Sequence, residues 1–379
     1  MKLLQSLMWG SLGLIAWAHM GYPLAAAAVA RRRRYVPRRD ERFIPTVALI
    51  ISAHDEVDVI RQRLENALTL DYPRDRLEIV VALDGAADGT RAIVESFANE
   101  RVQLLDLPRA GKIAAQNAAV DATKGDVLAF SDANSIWERD ALRLLVRNLA
   151  DPEIGYVCGR LRLVDGDAGN NHEGAYWGFE LWLREQESAC GSVTAGNGAI
   201  YAVHRSAFLK LDPEHGHDLG LPFRLRRRGL RAVYEPAAVA RERTLATTQA
   251  EWPRKVRLLS RAWWEILRGG LLDPRDQPPG FLAALISHRF LRYSGGPLHL
   301  TLVTSSVLAA PRDDAARALV AFQLGAAALA LIGWRLPGRV PLAGAAWYYV
   351  VVNAASVAGL ARTLTRGPVV IWSPTRSDP

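Results

Sequence analysis

The sequence predicts an α/β domain, built on a mostly parallel sheet flanked by helices, between transmembrane helices at both ends of the chain. Short β-branched apolar runs alternate with helically spaced apolar residues through its middle. Alternation of this kind is typical of a parallel sheet covered by helices on both faces. Polar residues gather where the apolar runs end, and the two terminal regions contain few charged residues. These observations predict a ligand-binding sheet attached to a membrane.

Composition excludes several classes of protein. The 379 residues include 47 Lys+Arg and 39 Asp+Glu, and half of them are apolar, which excludes a disordered or collagen-like chain. The two cysteines, Cys158 and Cys190, are too few for a disulfide framework, and no CxxC or HxxxH spacing offers a zinc site. Nucleic acid is not an expected partner, because the basic residues are not interleaved with aromatic ones or followed by a reading helix.

Residues 1–30 are predicted to form an N-terminal transmembrane anchor. The stretch has no charged side chain after Lys2 and is long enough to cross about 30 Å of hydrocarbon. A cleaved signal peptide is the alternative, because Lys2 and Ala25–Ala28 fit that pattern as well. The basic linker at 31–44 begins with Arg31–Arg34 and resists translocation. It therefore favours an anchor, with the following domain on the cytoplasmic side.

Residues 280–379 are predicted to contain an interfacial helix and about three transmembrane segments. Phe281–Tyr293 carries His288, Arg289 and Arg292 among apolar residues, which suits an amphipathic helix at the membrane surface. Further apolar runs lie at 297–310, 315–334 and 342–360. Arginines at their ends favour membrane spans over Ala-rich core helices. Four crossings in total would put the arginine-bearing tail on the side opposite the domain, against the charge rule.

The segment 45–279 is predicted to be the catalytic domain, because polar residues follow its predicted strands. The strands and the polar segments after them are Val47–Ile51 before Ser52–Glu56, Leu77–Leu83 before Asp84–Gly85, Val102–Leu105, and Asp126–Phe130 before Ser131–Asn134. In sheets of this kind ligands bind outside the carboxyl ends of the strands. We therefore expect these polar residues to surround one binding site.

Asp132 and Asn134 are candidate metal ligands. They are two residues apart, so both side chains would point to one face of an extended segment. Two oxygen ligands suit Mg²⁺ or Mn²⁺, which keep several waters and bridge to phosphates. A turn closing the strand is the alternative. Asp84 could likewise cap a turn or accept a hydrogen bond from a nucleoside, and Lys112 could be solvated or neutralise a diphosphate.

Taken in order, these segments resemble the family 2 inverting glycosyltransferases, which have the GT-A fold. The segments that carry the resemblance are Ala53–Glu56, Ala82–Thr90, Gly111–Lys112 with Asn117, Ser131–Asn134, Thr194–Tyr201, and His217–Pro222 with Arg224, Arg228 and Gly229. The resemblance covers nearly the whole predicted domain. The terminal spans are similar to those of membrane-bound polysaccharide synthases, such as the poly-N-acetylglucosamine and cellulose synthases.

The resemblance implies roles for residues at the nucleotide site. Asp84 would contact the nucleotide base, with Ala53 and Glu56 bordering the same pocket. Lys112 would approach the nucleotide or its diphosphate. Asp132, with help from Asn134, would bind the Mg²⁺ or Mn²⁺ ion.

The resemblance also implies a catalytic base and an acceptor site. Asp218 would take the proton of the acceptor hydroxyl as it attacks the anomeric carbon, so that an α-linked donor gives a β-glycoside. A positioned carboxylate makes chemical sense there, because a sugar hydroxyl is a poor nucleophile. Gly196, Asn197 and Gly198 would line the acceptor site.

The sequence departs from the family pattern at several positions. Asn134 replaces the second Asp of an Asp-x-Asp motif, and His217 precedes Asp218 where the family has Glu. The Gln-x-x-Arg-Trp motif of processive synthases is absent, and Trp252–Trp264 occupies its place. Within that stretch Arg257 could clamp the diphosphate, and Trp263 or its neighbour could stack on a sugar ring. An amphipathic helix at the membrane is an equally strong interpretation.

The sequence therefore predicts a multi-pass enzyme of the cell membrane with a cytoplasmic catalytic domain. It would transfer a sugar from a nucleotide sugar, expected to be a UDP-sugar, to a hydroxyl of a growing polysaccharide or a glycolipid of the cell envelope. Transfer to a polyprenyl phosphate is one alternative, because a phosphate acceptor needs no strong base. A non-catalytic nucleotide-binding scaffold of a membrane complex is another, supported by Asn134 and His217. The expected partners are the donor, the saccharide or lipid acceptor, and membrane lipids.

Overall fold

A computed structural model of the chain describes residues 1–164, 172–243, 248–336, 338–340 and 342–371. The predicted tail from residue 372, including Arg376, lies outside the described residues. The strands are β1 (Val47–Ala53), β2 (Leu77–Asp84), β3 (Val102–Leu107), β4 (Val127–Asp132), β5 (Ile136–Trp137), β6 (Ile154–Val164), β7 (Ile200–His204) and β8 (Arg231–Arg243).

The helices lie between these strands and at both ends of the chain. They are α1 (Lys2–Ala16), α2 (Tyr22–Arg32), α3 (Ile60–Leu68), α4 (Thr90–Glu95), α5 (Lys112–Ala122), α6 (Ala141–Val146), α7 (His172–Ala189), α8 (His217–Arg227), α9 (Thr248–Leu267), α10 (Pro279–Ala284), α11 (Leu291–Tyr293), α12 (Gly295–Ala309), α13 (Asp314–Arg335) and α14 (Ala343–Arg366). Two π-helical segments, Trp17–Gly21 and Leu285–Phe290, join α1 to α2 and α10 to α11.

One eight-stranded sheet has the order β3-β2-β1-β4-β7-β6-β8-β5. β1 pairs in parallel with β2 and β4, and β2 pairs in parallel with β3. β7 is antiparallel to both β4 and β6, whereas β6 and β8 are parallel. The predicted mostly parallel α/β fold is therefore confirmed.

The uninterrupted apolar sequence of β1 follows from its burial on both faces. Leu49 and Ile51 pack in a core cluster with Leu64 of α3. Ile50, which points the other way, packs in a second cluster with Ile113 of α5. Each fully buried side chain of this size contributes about 1.5–3 kcal/mol of hydrophobic free energy. The two layers of helices thus hold the central strands rigidly, and the site is built on their ends.

Three helical segments are long and apolar enough to cross a membrane: Lys2–Arg32, α13 and α14. The apolar run at 297–310 forms α12, a helix of 15 residues, which is shorter than a typical span. The described residues therefore give two candidate spans after the domain, where the sequence suggested about three. α1 packs beside α12, because Gln5 Nε2 donates to Asp313 at 2.8 Å and Met8 packs with Leu302.

The basic residues of the predicted interfacial helix turn inward. His288 is 1% exposed and Arg289 is 7% exposed. His288 and Arg292 form ion pairs with Glu180 of α7, and His288 also pairs with Glu187. The expectation that these side chains lie at the membrane surface is therefore wrong, because buried glutamates of α7 supply their counter-charges.

Candidate active site

The carboxyl ends of three neighbouring parallel strands form one edge of the sheet. β1 ends at Ala53, which pairs with Leu83 next to the last residue of β2, Asp84. β4 ends at Asp132, which pairs with Ser52 of β1. The structure therefore brings Ala53, Asp84 and Asp132 to the edge at which ligands bind in such sheets.

Asp84 shapes the loop that leads to Lys112. Asp84 is 4% exposed, and its carboxylate accepts hydrogen bonds from the N–H groups of Ala110 (2.7 Å) and Gly111 (3.0 Å). The Arg109 guanidinium lies 3.0 Å from the same carboxylate. Gly111 has φ +95°, a conformation that favours glycine. Because local donors already occupy the carboxylate, the role of Asp84 in binding a nucleotide base stays a prediction.

Lys112 contacts both the carboxyl end of β4 and the predicted acceptor segment, residues 194–198. We refer to the carboxyl ends of β1, β2 and β4 as the strand edge. It begins α5, and its Nζ atom forms an ion pair with Asp132. A Cβ atom placed on Gly198 would lie 3.2 Å from the same Nζ atom. Lys112 and Asp132 are 21% and 32% exposed at their side chains, so a ligand can reach both.

Further carboxylates surround Asp132, and we refer to Glu56, Asp132 and Glu242 as the open acidic cluster. Burial, together with the charges of Asp132 and Asp88, raises the pKa of Glu56 to about 7. Burial and the charge of Asp132 also raise the pKa of Glu242, although its carboxylate accepts a hydrogen bond from Ser135 Oγ. Raised carboxyl pKa values indicate an excess of negative charge, which a bound cation would relieve.

The side-chain oxygens of Asp132 and Asn134 suit a hard divalent cation. Burial alternates from Ser131 to Trp137, and the more open positions include both Asp132 and Asn134, so these two side chains share a face. Carboxylate and amide oxygens suit Mg²⁺ or Mn²⁺. In the part of the chain that the structure describes, no group of three His, Cys, Asp or Glu side chains could hold a metal by itself. Water and phosphate oxygens would therefore have to complete the coordination.

Asp218 lies in the first turn of α8, where the helix dipole favours a carboxylate. Four residues later Pro222 has no N–H group, so the helix leaves the Asp218 carbonyl without its usual donor. The Gly196 N–H donates to that carbonyl at 2.7 Å. A side chain on Gly196 would overlap the hydroxyl of Tyr156. Asp218 and the predicted acceptor segment are therefore in direct contact.

Tyr201 contacts residues that come just before Asp132 and just before Asp218. Burial, followed by the charges of Asp132 and Asp218, raises the pKa of Tyr201 well above its usual value. The Tyr201 ring stacks on Phe130, two residues before Asp132, at a centroid distance of 4.7 Å, and its hydroxyl lies 2.7 Å from Nδ1 of His217, the residue before Asp218. The convergence of Asp84, Asp132 and Asp218 on one cleft stays a prediction, which these contacts of Tyr201 favour.

His217 is a core residue behind Asp218. It is 3% exposed, and its Nδ1 atom lies 2.7 Å from the Tyr201 hydroxyl. Burial, assisted by nearby cations, lowers the pKa of His217 to about 3. The imidazole is therefore neutral at physiological pH and does not replace the charge of the family's Glu.

Asn197 fixes the shape of the acceptor segment. Its Nδ2 atom donates to the Gly159 carbonyl at 2.6 Å, and its Oδ1 atom accepts from the N–H groups of Ala199 and Ile200. Because both ends of the amide are used within the protein, direct contact of Asn197 with an acceptor stays a prediction.

Arg257 and Trp263 have different surroundings, and a role for Arg257 at the site stays a prediction. Burial and neighbouring arginines lower the pKa of Arg257 to about 10, and the charge of Asp132 opposes that shift. Trp263 is 4% exposed, packs with Phe223, and donates from Nε1 to the Ser356 carbonyl at 3.1 Å. Trp263 is therefore a packing contact between α9 and α14 and offers no open platform for a sugar ring.

Sequence reasoning missed Glu242. Flanked by Arg241 and Arg243 at the end of β8, it has the pattern of a solvated strand end. Pairing of Arg241 with Ile136 of β5 brings Glu242 beside Ser135, three residues after Asp132. Only the sheet register reveals this contact.

Arg261 and the chain after α14 form a second feature that the sequence did not predict. The Arg261 guanidinium donates to the carbonyls of Val369 (3.0 Å) and Val370 (3.2 Å). A Cβ atom on Gly111 would lie 3.0 Å from the Val370 carbonyl oxygen. The segment after the last helix thus contacts the domain that carries the sheet, whereas the sequence left the side of the tail open.

Comparison with known proteins agrees with this geometry. Residues 48–211 match the family model described as glycosyl transferase family 2. The chain carries a glycosyltransferase family 2 domain.

Proteins similar to this chain include synthases of glycolipids and polysaccharides. The β-monoglucosyldiacylglycerol synthase of Trichormus variabilis is 25% identical over 320 residues, which are 74% of this chain and 67% of that protein. The poly-β-1,6-N-acetyl-D-glucosamine synthase of Staphylococcus aureus is 26% identical over 220 residues, 56% of this chain and 53% of that protein. The resemblance to poly-N-acetylglucosamine synthases is confirmed. The chain spans between about half and two thirds of the length of these relatives.

A solved glycosyltransferase shares the architecture of almost the whole chain. The mannosyltransferase PcManGT from Pyrobaculum calidifontis, in complex with GDP-Man and Mn²⁺, superposes with a TM-score of 0.74 at 25% identity. The match covers 95% of this chain and 99% of that protein. It confirms the GT-A fold and extends to the terminal helices.

Proposed function

We propose that this glycosyltransferase is bound to the cell membrane and transfers a sugar, with inversion, from a nucleoside diphosphate sugar to a hydroxyl of a lipid or polysaccharide acceptor. The observation that carries the proposal is the arrangement of the Lys112–Asp132 pair and Asp218 on either side of the 194–198 segment. The reaction requires neutralisation of a diphosphate leaving group and a separate base for the acceptor hydroxyl. The two halves of the site supply residues suited to each task.

Residues at the strand edge would bind the donor. Asp132 and Asn134 would hold Mg²⁺ or Mn²⁺, which neutralises the diphosphate when bound. Lys112 and Arg257 would add positive charge beside the same phosphates. The family resemblance favours a UDP-sugar, and the GDP-Man bound to the related mannosyltransferase makes GDP-sugars the alternative.

Asp218 would accept the proton of the acceptor hydroxyl while its oxygen attacks the anomeric carbon. The bond from that carbon to the diphosphate oxygen breaks as the new glycosidic bond forms. A single displacement inverts the anomeric centre, so an α-linked donor gives a β-linked product.

The surroundings of Asp218 favour a lipid acceptor. Tyr293 packs against the apolar cluster that includes Leu219, the residue after Asp218. The Tyr293 carbonyl accepts a hydrogen bond from Ser356 of the candidate span α14. A hydroxyl at the membrane surface could therefore reach Asp218. The basic linker at Arg31–Arg34 supports a cytoplasmic orientation.

A donor and acceptor screen tests the proposal. Labelled UDP-glucose, UDP-N-acetylglucosamine and GDP-mannose would be incubated with the purified chain, Mn²⁺, and dioleoylglycerol, undecaprenyl phosphate or a β-glucan oligosaccharide. We expect transfer to a hydroxyl acceptor from one donor, and loss of transfer after chelation with EDTA. Asp218→Asn should lower the rate by more than about 10²-fold. Asp212→Asn, at an exposed position of the loop that precedes α8, should leave the rate unchanged.

Two results would contradict the proposal. Full activity of the Asp218→Asn variant with undecaprenyl phosphate as acceptor would favour transfer to a phosphate, which needs no base. Nucleotide binding without turnover of any donor would favour a non-catalytic scaffold.

A further inference from the structure

Thr194 begins the acceptor segment and is fully buried among charged side chains. Its hydroxyl contacts the Glu187 carboxylate at 2.9 Å and accepts a hydrogen bond from Arg289 Nε at 2.8 Å. Its N–H group donates to the same carboxylate at 3.0 Å. A hydroxyl can donate one hydrogen bond and accept two, so Thr194 satisfies Glu187 and Arg289 together.

The side chains that hold Thr194 belong to α7 and to a helical segment packed beside the N-terminal helix. Arg289 lies in the π-helical segment Leu285–Phe290, and such segments are frequent at functional sites. Glu187 of α7 also accepts a hydrogen bond of 2.7 Å from the hydroxyl of Tyr22, which belongs to the N-terminal candidate span. Direct contacts therefore run from the N-terminal helix through Glu187 to Thr194.

We refer to Glu180, Glu187, His288, Arg289 and Arg292 as the buried charge cluster. Glu180 pairs with Arg292 and His288, and Glu187 pairs with His288 at 2.7 Å. Burial by itself would raise the pKa of Glu187, but His288 and Arg289 hold it at about 2. A buried ion network of this kind adds little net stability over apolar residues of equal volume, whereas its geometry is specific.

The other end of the acceptor segment contacts the residues proposed to carry the chemistry. Gly196 donates to the Asp218 carbonyl, and Gly198 lies against the ammonium group of Lys112. A shift of Thr194 would therefore move the segment relative to both residues. Displacements of about 1 Å from a mutation far from the chemistry can cost about 10²-fold in rate.

We propose that Thr194, Glu187 and Arg289 are positioning residues that set the acceptor segment against Asp218, and that Tyr22 couples the N-terminal helix to the same contact. This inference rests on the proposed function, because the 194–198 segment must receive the acceptor.

Substitutions of Thr194 test the inference. Thr194→Val removes the hydroxyl at nearly constant volume, and Thr194→Ser keeps it. Thr123→Val is the matched control, since Thr123 is a buried threonine outside the site whose hydroxyl accepts from Arg205 at 2.9 Å. Transfer to dioleoylglycerol and hydrolysis by water would be measured with UDP-glucose and GDP-mannose. Thr194→Val should lower the ratio of transfer to hydrolysis by about 10²-fold, while Thr194→Ser and Thr123→Val stay near the parent ratio.

Hydrogen exchange gives a second readout that needs no substrate. In the purified full chain, Thr194→Val should speed exchange of the Gly196 amide, which is hydrogen bonded to Asp218. Thr123→Val, despite a comparable loss of thermal stability, should not. Tyr22→Phe removes one hydrogen bond to Glu187. It should also speed exchange of the Gly196 amide, but by less than Thr194→Val.

The outcomes separate this inference from the proposed function. If Asp218→Asn is inactive and Thr194→Val matches Thr123→Val in both readouts, the positioning role is overturned and the proposed function stands. Equal losses of transfer and hydrolysis in Thr194→Val would also overturn it. If Asp218→Asn keeps full activity, the proposed function itself fails.

Discussion

Two groups of acidic side chains in this protein experience opposite environments. In the open acidic cluster, Glu56 and Glu242 have raised pKa values because burial and neighbouring carboxylates disfavour their ionised forms. In the buried charge cluster, Glu180 and Glu187 have lowered pKa values, although they are more deeply buried, because His288 and arginines outweigh the cost of burial.

The difference distinguishes a binding site from a structural network. A carboxylate with a raised pKa has a charge that the protein alone does not neutralise, which is common at functional sites. A carboxylate with a lowered pKa already has its counter-charge within the fold. By this criterion we predict that the strand edge binds a cation and a ligand, whereas the carboxylates of the α7 network are neutralised within the fold.

The largest expected effect is loss of activity when the open acidic cluster loses Asp132. Asp132→Asn should lower turnover by about 10²–10³-fold, because the proposed metal ligand and the partner of Lys112 are both weakened. Thermal stability should change little, since a partly exposed ion pair contributes about 0–1 kcal/mol. Steady-state assays and thermal unfolding measure both effects, with exposed Asp58→Asn as the control. Retained activity would mean that the raised pKa values mark no functional centre.

In the buried charge cluster, Glu187→Gln should mainly destabilise the fold. Removing one partner of a buried ion pair leaves uncompensated charge and costs about 3–5 kcal/mol. Glu185→Gln, on the exposed face of the same helix, should cost less than about 0.5 kcal/mol. Denaturant titration in detergent compares the two variants. The Glu187 contribution should be present above about pH 4.5 and lost as pH falls towards 2, because its folded pKa is depressed. Equal stability of the two variants at pH 7 would show that Glu187 contributes no more to folding than the exposed Glu185.

The smallest effect concerns the pH dependence of the metal-free protein. Glu56 has a folded pKa of about 7 and an unfolded pKa near 4.5, so the folded state binds more protons between these values. Stability from this group therefore falls as pH rises from about 4.5 to 7. Glu56→Gln should remove this decrease in stability with rising pH. The difference in thermal midpoint between the variant and the parent chain should become smaller when Mn²⁺ is added. A pH-independent difference in thermal midpoint would show that Glu56 is not in a region of excess negative charge.

The local sequence predicted the strand edge well because the polar residues of this edge directly follow short apolar runs in the chain. The apolar runs before Asp84 and Asp132 are short and rich in β-branched and other apolar residues, which is typical of buried strands, and parallel pairing with β1 then brings their ends together. The Asp218 segment was recognised mainly from the family resemblance, because a position at the start of a helix also fits a helix cap. Trp263 was misjudged because a tryptophan among arginines on a helix has the same pattern at a membrane surface, at a sugar site and in a core.

Glu242, the buried charge cluster and the contact of Val370 with the Gly111 loop could not be predicted from the sequence. Each depends on contacts between residues that are far apart in the chain. Local sequence periodicity does not predict which distant charged residue will contact a buried carboxylate.

By itself, the sequence determined the first four strands, the apolar ends of the chain and the polar residues after those strands, since these follow from local hydrophobic pattern and backbone chemistry. Only the tertiary structure decided which carboxylates have their charge neutralised within the fold and which would need a ligand to neutralise it. The physical reason is that the energy of a buried charge depends on its distance from other charges and on its burial, and packing sets both.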